Sequence, residues 1–161
     1  MRAVVPSVTM PTNLSHQSFL AITAVAWADG LMKRDEAQAL LRAAAAAGLS
    51  GDELTALEQA TKNGASLDEV DLSGLSEWHK GLTYALAYWL AKVDGVVNAD
   101  ELRHLRRLGE MVGLPKLKLE AAQSAVFDVL CLPGGHRPDK YDFDALVDRL
   151  KTKLPSLASS A

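Results

Sequence analysis

Moved by 65 positions, the segment Phe19–Asn63 lies on Tyr84–Asp128 without a gap, and twelve of the paired residues are identical. The identities include Asp29/Asp94, Gly30/Gly95, Asp35/Asp100, Glu36/Glu101, Leu40/Leu105, Gly48/Gly113, Leu49/Leu114 and Leu54/Leu119. Mismatched apolar positions mostly stay apolar, as in Val25/Leu90, Leu31/Val96 and Met32/Val97. A register that never slips reads as a tandem duplication inside one domain, and it restricts the fold to architectures built twice from one unit. Packing accounts for the shared apolar residues. The paired surface carboxylates need another reason, and the search for a site starts with them.

The unit is helical wherever a period can be read. Phe19, Ile22, Val25 and Ala26 share one face of a helix, which the spacing carries to Asp29 and Gly30. Alanine-rich Asp35–Ala47 is a strong helix former, and Gly48 stops it as a residue just beyond a helix end does. Ser50 with Glu53 has capping-box spacing, and opens a helix over Asp52–Lys62 with Leu54 and Leu57 inward. Asn63 and Gly64 close it, and the stretch to Gly74 reads as a polar, acidic connection.

The second unit begins near Leu75, and Trp78, Leu82, Ala85, Leu86, Trp89 and Val93 make the widest apolar stripe of the chain. Asn98 is placed to cap Ala99–Val112 with Glu101 at the third helical position, and Pro115 suits the first turn of a helix to about Leu130. A proline- and glycine-bearing loop, Leu132–Pro138, precedes a last amphipathic helix over Asp139–Leu150. The expectation is a compact all-α bundle of about seven helices with a pseudo-twofold repeat. Its units run from about 14 to 64 and 75 to 131, joined by a linker at 65–74 and followed by a loop and helix at 132–151. Both tails are expected to fray.

Composition narrows the functional classes. At 161 residues the chain has the length of one domain, and its net charge of −3 gives no general attraction to nucleic acid or anionic lipid. The single cysteine, Cys131, excludes an internal disulfide, fits a reducing compartment and reads as a buried apolar residue. No apolar run reaches the ~18 residues of a spanning helix, and Met1–Leu14 lacks the apolar core of a signal peptide. A soluble, cytoplasmic protein is therefore expected.

Each unit carries the spacing Asp-Gly-x-φ-x-x-Asp-Glu, where φ is the apolar Met32 or Val97. The glycine allows one helix to end and another to begin within a few residues, and the apolar residue turns inward to fix the corner. Asp29 and Asp94 then fall at helix C-terminal ends, where the macrodipole disfavours a negative charge by ~0.3–1 kcal/mol. A compensating cation or backbone N–H is expected. The spacing also matches half of an EF-hand loop, with Asp29 at its fifth position and Glu36 at its twelfth. The first and third positions are Val25 and Trp27 in one unit and Leu90 and Lys92 in the other, so neither loop alone makes a calcium site. A pseudo-twofold that brought Asp29, Glu36, Asp94 and Glu101 together would form an all-oxygen site for a hard cation, with Asp35 and Asp100 as secondary ligands. The alternative leaves Glu36 and Glu101 as helix N-terminal residues with no metal, and Asn98 with Glu101 as a capping box.

Two stretches, Ala24–Glu36 (AVAWADGLMKRDE) and Leu90–Glu101 (LAKVDGVVNADE), resemble the TerB-like family, named for a bacterial tellurite-resistance protein. Related domains precede J-domains in some co-chaperones. The resemblance rests on Ala28-Asp29-Gly30, Glu36 and Gly48-Leu49, and again on Asp94-Gly95, Glu101 and Gly113-Leu114, and spans about Phe19–Leu130. It implies an all-α bundle with acidic clusters that take metal, no catalytic activity, and a stress-response role within a protein complex near the membrane. The chain departs from the pattern at Val93, where the family has alanine, and beyond Leu132. For the cation, calcium, magnesium or manganese suits carboxylate oxygens better than zinc. The reading is thus a non-enzymatic module binding a divalent cation and other proteins, or a metal-free docking domain.

Other features favour plain roles. Glu101 and His104 have the spacing of carboxylate-bridged di-iron bundles, but Ala39 stands where the first unit would need its histidine. Arg103, Arg106 and Arg107 read as a solvated basic face, and no aromatic residues interleave to stack bases. Tyr84 and Tyr88 sit at core spacing with a route to the surface. No phosphate loop and no nucleophile–base constellation appears.

Overall fold

A computed structural model describes residues 14–28, 30, 32–92, 98–132 and 143–155. Among them are seven helices and no strand: α1 (His16–Ala26), α2 (Arg34–Ala46), α3 (Gly51–Asn63), α4 (Glu77–Lys92), α5 (Ala99–Val112), α6 (Lys116–Leu130) and α7 (Phe143–Lys153). The all-α expectation holds. Helices α2 and α5 start 65 residues apart at Arg34 and Ala99, and α3 and α6 do so at Gly51 and Lys116.

Helix α4 is the axis. Every residue from Gly81 to Ala91 is buried, because α4 is covered by α1, α5, α6 and α7. That explains a sequence too apolar all round to show a solvent face. Trp78, Trp89, Phe19, Ile22, Leu108 and Leu146 are among the largest fully buried side chains. Helix α1 packs on α3 and α5 as well as on α4, and α2 closes on α3. The α5–α6 pair differs: these helices make fewer close backbone approaches than α2 and α3, with the Leu119 side chain of α6 set against Gly109 of α5.

Several local readings change. Helix α1 ends at Ala26 rather than running to the Asp-Gly corner, and Trp27 caps it. The Trp27 indole N–H donates to the Thr61 carbonyl at 3.1 Å, which ties that end to the last turn of α3. Ser50 does precede α3, yet its hydroxyl makes no capping bond. Gly51 follows at a φ of +59°, which turns the first peptides away from the geometry a capping box needs. The polar linker holds a 3-10 turn at Leu67–Glu69, and it buries Leu67 and Leu72 against the core. Alternating acids had hidden those two anchors.

At the far end, the last helix reaches Lys153 and Leu154 is buried, so the chain stays docked past the expected fraying point. Cys131 is exposed and does not join the core, since it is the residue that ends α6. The tail Met1–Pro11, most of the 132–138 loop, the start of the last expected helix and residues 156–161 lie outside the described residues. Among the described residues no helix is long and apolar enough to cross a membrane.

Candidate functional site

The two corners are held by their glutamates. Glu36 occupies the third position of α2, and its Oε1 accepts from the backbone N–H of Lys33 at 3.1 Å. Glu101 holds the same place in α5, with Oε1 accepting from the Asn98 N–H at 3.3 Å. Asn98 returns the bond, its Oδ1 accepting from the Glu101 N–H at 2.8 Å. Both glutamates are 8% exposed. The second corner thus carries a full capping box. The first carries the glutamate's half of one, because lysine has no acceptor to offer. Sequence spacing had placed the cap at Glu101 but left Glu36 with only a charge–dipole role.

The rest of the first corner follows the expected chemistry as far as it is described. Gly30 has a φ of +88°, a backbone state that L side chains rarely adopt. Met32 is partly buried against the core, the inward turn expected of the apolar position. Asp29, Asp94, Gly95 and Val97 lie outside the described residues. Asp35 is the second residue of α2, and its side chain is not among those described. Asp100 is exposed enough to pair with Arg103 on the next turn of α5.

Among the described residues, no group of three or more His, Cys, Asp or Glu side chains is placed to hold a metal ion. The donor chemistry still fits a hard cation in part: carboxylate oxygens at Glu36 and Glu101 are fixed by backbone N–H groups, as ligands in preorganised sites are. His104, three residues after Glu101, bonds within its own helix. Its Nδ1 is hydrogen-bonded to the Asp100 carbonyl at 2.9 Å.

The basic face of α5 resolves into separate jobs. Arg103 pairs with Asp100, while Arg107 reaches Asp68 of the 3-10 turn and so fastens the linker to α5. Arg106 instead lines a cleft. Comparison with protein-family models, with curated proteins and with solved structures finds no match.

That cleft is the feature sequence reading missed. It is an open groove between α4, α5 and α6 with a volume of about 750 Å³. Its lining includes Tyr84, Tyr88, Leu102, Leu105, Leu119 and Gln123. The Gln123 amide donates to the Tyr84 hydroxyl at 2.8 Å, which bridges α6 to α4 across the floor. Burial pushes the Tyr84 phenol above its ordinary value against the opposing pull of that bond, and burial does the same for Tyr88. The available signal was the pairing Phe19/Tyr84 and Thr23/Tyr88: the second unit gains two phenols where the first has apolar or self-satisfied side chains.

Proposed function

We propose that the chain is a non-enzymatic, TerB-like binding module whose two Asp-Gly corners take a divalent cation and which works by docking other proteins. Asp29 and Asp94 carry the binding in this reading, with Glu36 and Glu101 as partners and Asp35 and Asp100 in reserve. Calcium, magnesium or manganese is the fitting ion. The observation that carries the reading is the pair of buried, backbone-anchored glutamates at equivalent places beside the repeated Asp-Gly step. A cytoplasmic stress-response setting, within a complex that lies near a membrane, follows from the TerB-like resemblance.

A second reading has its own support. Each glutamate already spends an oxygen on its helix N-terminus, so capping alone explains why both are kept. The corners then serve as rigid joints and the module as a metal-free interaction domain. Calorimetric titration of chelator-stripped protein with Ca²⁺, Mg²⁺, Mn²⁺ and Zn²⁺ separates the two. Saturable binding that an Asp29→Asn/Asp94→Asn variant loses supports the cation module. No heat from either protein leaves the interaction domain.

A further inference from the structure

We propose that the groove side of α5 is a homodimer interface, on which a second copy of this chain lies with its own α5 antiparallel to the first. The large apolar side chains that stand exposed among the described residues are Leu102, Leu117 and Phe127, and all belong to α5 and α6, the outer walls of the groove. Leu102 is 46% exposed and lines the groove. The Lys92 ammonium lies 5.5 Å from the Tyr88 ring centre and 5.6 Å from that of Phe127, which sets Phe127 beside the groove as well. Exposed apolar side chains grouped on adjoining elements mark an interaction surface.

The order of residues along α5 points to what covers it. Leu102, Arg106, Glu110 and Gly113 follow one another down the groove side of the helix to its end. Read backwards, the row is Gly113, Glu110, Arg106, Leu102. A copy turned about a twofold axis between Arg106 and Glu110 therefore sets each arginine against the partner's glutamate. It also sets each Leu102 against the partner's Gly113. The two arms of the row differ by one residue, about 1.5 Å along a helix, which side chains can take up. A Cβ built at Gly113 would have nothing within 4 Å, so the projecting leucine meets open space there. Among the described residues no ion pair engages Arg106 or Glu110. With Lys116 and Glu120 also on the groove, a partner of one charge sign gains nothing overall. A copy turned end for end gains at both positions.

The other half of the chain serves as a control. At the positions 65 residues earlier stand Ala37, Leu41, Ala45 and Gly48. The glycine that stops the helix is shared, but the projecting leucine and both charges are not. Leu41, where α5 has Arg106, is partly buried against the core. The self-matching row thus belongs to α5 alone, and building a helix of this kind does not require it. The pairing uses no residue of the Asp-Gly corners and stands apart from the cation reading.

Sedimentation equilibrium of the full chain tests the pairing. The parent should associate reversibly to a dimer with a Kd on the order of micromolar. Arg106→Glu and Glu110→Arg each set like charges together on both sides of the axis, and each should weaken the dimer about tenfold or more. Mixed in equal amounts, the two variants restore opposite charges across the interface. They should then form a heterodimer at close to the parent's affinity, a rescue that a general loss of stability would not produce. Leu102→Ser, at an exposed side chain, should weaken association by a similar factor without disturbing the core. Circular dichroism melting checks that the variants fold. A parent that stays monomeric up to ~1 mM, a dimer unchanged by either charge reversal, or a mixture that remains monomeric would each overturn the proposal.

Discussion

Asn98 and Glu101 exchange two bonds that satisfy backbone donors at the start of α5, and Glu36 makes one such bond at the start of α2. Asn98→Ala should therefore cost about 1 kcal/mol of stability in urea denaturation. Lys33→Asn should raise stability by a few tenths to about 1 kcal/mol, because it gives α2 the acceptor it lacks. The tyrosines provide a second test at this scale. Burial holds the Tyr84 and Tyr88 phenols above the ordinary value of about 10. A folded state that keeps its proton more tightly than the unfolded chain retains that contribution below pH ~10 and loses it as pH rises toward the folded values. Stability should thus decline on the alkaline side of pH ~10. Ultraviolet phenolate absorbance of the parent and of each Tyr→Phe variant should show both phenols ionising late.

Between helices, the decisive difference is how α5 meets α6. Gly109 lies inside α5, and a Cβ there would come 3.1 Å from Leu119 Cδ1. Leu119 is only partly buried and borders the open cleft, so it has room to give. Gly109→Ala should then gain most of the ~1 kcal/mol difference in helix propensity, read as a higher melting temperature. No gain would mean that Leu119 is held in place. Helix periods and glycine stops made α2, α5 and α6 legible in the sequence to within a residue or two at their starts, because each presents one clear apolar face or cap. The Leu67 and Leu72 anchors were not legible, since two leucines among acids carry no period. Ser50 misled for a different reason: capping-box spacing says nothing about the φ of the glycine that follows it. The cleft was hidden because a groove between helices leaves no mark on the period of any one helix, and the exchange of Phe19 and Thr23 for Tyr84 and Tyr88 was its one trace.

Across the whole molecule, a buried α4 gathers α1, α5, α6 and α7, α2 and α3 join through α1, and the chain stays docked as far as Leu154. Leu154→Ala should cost about 2 kcal/mol or more, while Leu117→Ala, at a side chain 79% exposed, should be nearly neutral. Equal effects would contradict the placement of the C-terminal end. The all-α class was legible at this scale, and the Asp-Gly corners were legible as a repeated spacing. Their glutamates prove to be anchored to backbone N–H groups, a role that spacing alone showed only where asparagine stood at the cap. In the proposed function, Asp29 and Asp94 make those corners a cation site. Amide NMR with substoichiometric Mn²⁺ tests it most directly. Selective paramagnetic broadening is expected at Gly30, Lys33 and Asn98, and it should disappear in Asp29→Asn/Asp94→Asn. Broadening spread over exposed acids such as Asp52, Glu53 and Glu69, or none at all, would contradict it.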